Sequence, residues 1–199
     1  GQTDSSKANN WLLDASWQGG SNLKLKSYIG QAESDVRYNY YLTESQWRAN
    51  PNLNSGITHQ KYNTDKWGLS AEMPVYMYVL KLSFHDERKA SDATYPSGWN
   101  STSSYGKRLG EVSLSGQNEG LKWIAGAQIS EGWRTGTDNK TQKNNESFFA
   151  QVHKEWGALN WMVGARSEKV SYSYQPITGA AIGKDHRLPQ WETGLNYAQ

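Results

Sequence analysis

"NNESFFAQVHKEWGALNWMVGARSEKVSYSY", residues 144–174, places apolar side chains at every second position on both sides of a Trp-Gly-Ala turn. Phe148, Ala150, Val152 and Trp156 share one parity; Leu159, Trp161, Val163 and Ala165 repeat the pattern after the turn. Between them stand Gln151, His153, Glu155, Asn160, Arg166 and Glu168. Successive side chains of a strand point to opposite faces, so the stretch reads as a hairpin with one greasy face and one wet face. What meets the greasy face, lipid or a second protein layer, decides the fold.

The same rhythm recurs along the chain. Trp11, Leu13, Ala15 and Trp17 oppose Asp14, Ser16 and Gln18; Trp67, Leu69, Ala71 and Met73 oppose Lys66, Ser70 and Glu72. Tyr78, Leu80, Leu82 and Phe84 oppose Lys81, Ser83 and His85, and Leu121, Trp123, Ala125, Ala127 and Ile129 oppose Lys122, Gln128 and Ser130. Alternation and turn residues predict strands over 9–18, 22–38, 64–74, 77–88, 105–116, 121–132, 147–156, 159–174 and 187–198. Short turns ("QGGSN", "PVYM", "GQNEG", "WGAL") take turns with long polar excursions at 41–63, 89–105, 134–146 and 175–185. That order, short at one end and long at the other, is the order of outer-membrane barrels.

Composition narrows the classes. The 199 residues have a mean hydropathy of −0.86, too polar for a bundle of membrane helices. Basic and acidic residues number 21 and 19 and are well mixed, which leaves no electrostatic footprint for nucleic acid. Cysteine is absent, excluding a disulfide framework and thiolate metal sites. Ten Trp and twelve Tyr suit a boundary between an apolar and a wet phase. His59, His85, His153 and His186 are too scattered for a metal pair, and neither a G-x-S-x-G elbow nor a glycine-rich phosphate loop occurs, so no enzyme, cofactor or bound metal is expected.

The alternation suits a transmembrane, all-β, antiparallel up-and-down barrel, with short periplasmic turns and long extracellular loops. On that reading Trp11, Leu13, Trp17, Trp67, Leu69, Leu80, Leu82, Trp123, Trp161 and Val163 face lipid. It also suits a soluble, Trp-rich all-β module whose rings stack on sugars, or a small autonomous outer-membrane channel. Strand lengths favour the membrane, because spanning takes ~9–11 residues whereas soluble strands average ~5–6.

Phe149-Ala150-Gln151, then Gly164-Ala165-Arg166 after a short turn, then Pro189 with Gly194-Leu195 beyond a loop, resemble the middle of the barrel of TonB-dependent outer-membrane receptors. The rest of the chain matches in barrel rhythm only. The resemblance implies a barrel of about twenty-two strands around a plug. It implies active import of a scarce nutrient (a ferric siderophore or another iron complex first, with haem and cobalamin as alternatives), energised through TonB, with phage or bacteriocins as further loop partners. About nine strands are legible over residues 1–199, with no plug sequence and no TonB box near the start, so one barrel segment is expected. Ligand contacts are expected in the loops, at Tyr40, Tyr41, Trp47, Arg48, His59, Tyr95, Trp99, Tyr105, Trp133 and Arg134, where aromatic and basic groups suit an anionic, ringed chelate. "NPNL" at 50–53 resembles a short motif of haem receptors without its usual neighbour; His59 is the axial ligand that match would use.

Overall fold

The computed structural model describes residues 4–20, 22–53 and 55–197. Ser21 of the first short turn, Asn54 of the first excursion, residue 198 of the last expected strand and the final residue of "NYAQ" lie outside the described residues. Nine strands and one short helix follow in order: β1 (Ser5–Gln18), β2 (Lys24–Asn39), α1 (Glu44–Ala49), β3 (Ile57–Val75), β4 (Tyr78–Thr94), β5 (Asn100–Asn118), β6 (Leu121–Gly136), β7 (Asn139–Trp156), β8 (Leu159–Pro176) and β9 (Ile182–Tyr197). They form one up-and-down antiparallel sheet in sequence order.

Local backbone chemistry explains the tight end of each hairpin. Glu119 and Gly120 both take positive φ, 47° and 73°, the signature of a two-residue turn whose twist matches its flanking strands. Gly157 supplies the left-handed residue at φ 57° between β7 and β8.

Register then turns nine separate alternations into one surface. Residues directly opposed in an antiparallel pair share a face, so lateral rows can be followed strand to strand. One row runs Trp17, Leu25, Ala71, Leu82, Val112, Ala127, Phe148; another runs Met73, Leu80, Leu114, Ala125, Ala150, Ala165, Trp191. All ten residues expected to face lipid fall on this side. On β3 the greasy run goes from Trp67 to Val75. At ~3.4 Å per residue it covers about 27 Å of strand. With the ~40° tilt usual in barrels, this gives roughly 21 Å of height, close to the ~25 Å apolar band of an outer-membrane barrel.

No described residue covers that band. Among the described residues only Ala93 and Val170 are buried apolar side chains, while Leu13, Ile129 and Phe148 are 64%, 63% and 68% exposed. A soluble domain needs a second layer to bury one face of its sheet. The described residues contain none, which leaves the soluble sugar-binding alternative without a core.

The strands are longer than the alternation indicated. Ends next to short turns fall within two residues of expectation, but at the other end β3 starts seven residues earlier, β4 ends six later and β7 starts eight earlier. The excursions at 89–105, 134–146 and 175–185 are therefore mostly strand, capped by loops at 95–99, 137–138 and 177–181. Among the described residues only the β2–β3 connection is a long loop. Beyond the band both faces are polar, and a period-two pattern vanishes there although the ladder continues.

Candidate functional site

Two surfaces can meet a solute: the polar face opposite the band, and the hairpin tips at the long-loop end. On the polar face the lower wall carries several groups of mutually paired polar side chains. Glu72 receives Lys24 at 2.9 Å and lies 3.4 Å from Lys81. The Tyr28 hydroxyl lies 3.1 Å from His85 Nδ1. The Gln128 amide donates to Glu111 at 3.1 Å and its oxygen accepts from Arg166 at 2.8 Å. Polar groups held by one another in this way suit a water-lined wall. Lys24, Ser70, Glu72, Lys81 and Glu111 line a recess of about 380 Å³ in it.

The Phe-Ala-Gln and Gly-Ala-Arg pieces meet here. Phe149 opposes Arg166, Ala150 opposes Ala165 and Gln151 opposes Gly164. Ser167 next to Arg166 faces Pro189 on β9, and Met162 and Trp161 face Gly194 and Leu195. The three sequence fragments are one cross-strand block. Gln151 reaches Glu192 at 3.3 Å across Gly164, where a Cβ would stand 2.8 Å from the Glu192 carboxylate.

At the tips, four of the ten expected contact residues gather. Tyr40 donates to the Tyr41 hydroxyl at 2.8 Å with ring centroids 4.1 Å apart. Tyr40 also meets Tyr95 edge-on at 6.0 Å, and Tyr95 stacks on Trp99 at 5.0 Å. The cluster joins the β2–β3 and β4–β5 connections. Gly56 packs against Pro96 with no room for a Cβ, and its carbonyl accepts from Tyr40 N at 2.9 Å. The bond to Tyr41 holds the Tyr40 proton and raises its titration above the ordinary phenol value.

The other six are placed differently. Trp47 and Arg48 lie on α1, capped by Thr43, and Arg48 is engaged by Glu44 at 2.7 Å. "NPNL" is the turn that ends this helix, with Leu53 N donating to the Asn50 carbonyl. His59, Tyr105, Trp133 and Arg134 are strand residues rather than loop residues, because the ladder continues past the alternation. His59 shares the band's face and sits 2.7 Å from Asp35, which turns this axial-ligand candidate away from the polar face. Trp133 is on the band's face too, over Gly106 and 5.0 Å from the Arg108 guanidinium. Tyr105 and Arg134 oppose each other on the polar face, with the guanidinium 5.7 Å from the ring.

The sequence reading placed Tyr62 in the first long loop and missed Lys89, Lys143 and Tyr172; all four stand on the same polar face. For Tyr62, Lys89 and Lys143 the alternation with neutral residues lies in segments read as loop; Tyr172 falls inside the strand expected over 159–174 and was passed over as a contact.

No family model and no curated protein matches the sequence. Solved structures do match the fold. The ferric citrate transporter FecA in its unliganded form superposes with a TM-score of 0.80 at 11% identity, over 98% of this chain and 34% of that one. The siderophore receptor PiuA from Acinetobacter baumannii gives 0.77 at 9% identity, over 98% and 40%. The copper transporter OprC gives 0.75 at 10% identity, over 98% and 34%. The chain spans between about a third and two fifths of the length of these barrels, and what it shares with them at such identities is their fold.

Proposed function

We propose that this chain is a contiguous part of a TonB-dependent receptor barrel in a bacterial outer membrane, and that the receptor imports a chelated metal, an iron complex first among them. The uncovered apolar band carries the reading. A single-layer sheet with two buried apolar side chains among its described residues has no aqueous stability of its own, whereas in lipid the band is solvated and the polar face lines a wet interior. Strands β1 and β9 each have one side unpaired among the described residues, and in the bilayer those edges take the remaining strands of the barrel.

FecA and PiuA support the iron reading by fold, OprC shows that the fold also serves another metal, and the tip cluster offers rings to a ligand arriving from outside. Energy for import would come through a plug and TonB, as in the family the motifs resemble. Transport needs no bond chemistry, and the polar face is read as a conduit.

Solubility tests the reading. The purified chain is expected to require detergent, and to aggregate once detergent is removed. A monodisperse monomer in plain buffer would overturn the membrane assignment.

A further inference from the structure

The polar face changes character where the apolar band on the other side stops. Below that level its cations are matched with one exception: Lys24 and Lys81 by Glu72, Lys122 by Glu155 at 2.8 Å, and Arg166 by Glu168 at 3.6 Å, while Lys26, opposite Ser16 and Ser70, has no ion pair among the described residues. At and above it, two lateral rows cross the sheet. The first runs Lys66, Glu87, Lys107, Gly132, Lys143, Tyr172, Lys184; the second runs Lys89, Tyr105, Arg134, Thr141, Tyr174. Six cations, Lys66, Lys89, Lys107, Arg134, Lys143 and Lys184, thus face one carboxylate, Glu87. None of the six forms an ion pair among the described residues.

Three of these cations are held by rings rather than by acids. Lys89 sits 4.6 Å from the Tyr62 ring, Arg134 5.7 Å from Tyr105 and Lys143 5.4 Å from Tyr172. A ring face positions a cation without cancelling its charge. Like charges this close repel, and a chain that keeps them unneutralised on one wall of a narrow cavity concentrates positive potential there. The opposite face at the same height is balanced instead, with Asp86 set between Arg88 and Arg108 and Asp35 against His59. The excess therefore belongs to the interior and not to the whole rim.

We propose that these two rows form an anion-binding vestibule inside the strand extensions, specific for a multiply negative, oxygen-liganded metal chelate, and that Tyr105, Tyr172 and Tyr174 stack on its rings. The proposal rests on the barrel reading above and moves the main ligand contacts from loops to strand walls. The three tyrosines expose 38%, 43% and 41% of their surface, which leaves part of each residue, beyond the cations held by Tyr105 and Tyr172, for a flat partner.

The test uses the full-length protein that contains this chain, purified in detergent and titrated with two ferric probes of similar size: the trianionic tris-catecholate and the neutral tris-hydroxamate. The expected result is at least tenfold tighter binding of the trianion, weakening steeply with salt. The triple variant Lys107→Gln, Arg134→Gln, Lys143→Gln should lose that preference, at least tenfold for the trianion and little for the neutral probe. Lys140→Gln with Lys169→Gln, on the band's face, should change neither.

Equal affinity for the two probes, or a triple variant that binds the trianion as the parent does, overturns the vestibule and leaves the barrel standing. Each variant's heat-shifted gel mobility, the mark of an intact barrel, separates lost binding from lost folding. Should the triple variant fail to fold, Tyr105→Ala with Tyr172→Ala takes its place, and unchanged catecholate affinity in that pair overturns the proposal. A protein that purifies as a soluble monomer fails the barrel reading first, before any titration, and takes the vestibule with it.

Discussion

Asp86 stands where the apolar face of β4 gives way to charge, one position past Phe84 on the same side. Only 4% of its surface is exposed, and its two carboxylate oxygens receive Arg88 Nε at 3.1 Å and Arg108 Nε at 2.9 Å. Arg108 continues to Glu131 at 3.8 Å and lies under the Trp133 ring, which in turn covers Gly106 so closely that a Cβ there would stand 2.0 Å from it. Charge, guanidinium, indole and glycine form one unit at the upper border of the band. Such a border needs residues that are apolar on one side and wet on the other, which Trp and Arg supply. Removing the carboxylate leaves two cations with no acid between them. Because both Arg side chains remain partly solvated, Asp86→Ala is expected to cost about 1–3 kcal/mol, less than a fully buried pair would. A denaturant titration of the detergent-folded protein reads this directly, and a midpoint equal to the parent's would show that the cluster holds nothing together.

At the scale of the element, each strand has two parts with different chemistry. The part next to a short turn alternates apolar and polar; the part beyond the band is polar on both faces, as in Asp65, Asn63 and Lys61 on one side of β3 with Lys66, Thr64 and Gln60 on the other. The first part was legible in the sequence, down to which of Leu82 and Ser83 stands on the apolar face, because side-chain period maps onto face without knowledge of neighbours. The second was read as loop, since with water on both sides no period survives. This is why His59, Tyr62, Tyr105, Trp133 and Arg134 were found as residues but misplaced as elements, and why Lys89 and Lys143 were missed. Partner identity across strands needs register, and register emerges only once all nine strands are aligned. Face assignment within the band makes a sharp expectation: Leu82→Arg puts a cation in hydrocarbon and should cost about 2–4 kcal/mol, while Ser83→Arg one residue on should cost under about 1 kcal/mol. Equal penalties in a folding titration into lipid vesicles would mean that the two faces see the same solvent.

The whole molecule is one sheet with an oily side, a wet side and a polar collar. Its order is local throughout: every strand pairs with its sequence neighbours, and no segment folds back over either face among the described residues. A soluble protein built this way would leave Leu13, Ile129 and Phe148 in water. Each such side chain forfeits about 1.5–3 kcal/mol relative to burial. Lipid removes that penalty along the entire band, and the same placement directs Lys107, Arg134 and Lys143 into the cavity through which a solute would pass. On the barrel reading proposed above, membrane placement and ligand capture are two consequences of one register. The chain has no cysteine, so each introduced thiol is unique and reports its own surroundings. Single Cys variants at consecutive positions 80–85, spin-labelled and reconstituted in bilayers, test the central claim most directly through collision with oxygen, which favours lipid, and with a water-soluble nickel chelate. Labels at 80, 82 and 84 are expected to meet oxygen and those at 81, 83 and 85 the nickel chelate, in strict alternation; nickel reaching 80, 82 and 84 as freely as their neighbours would contradict the account.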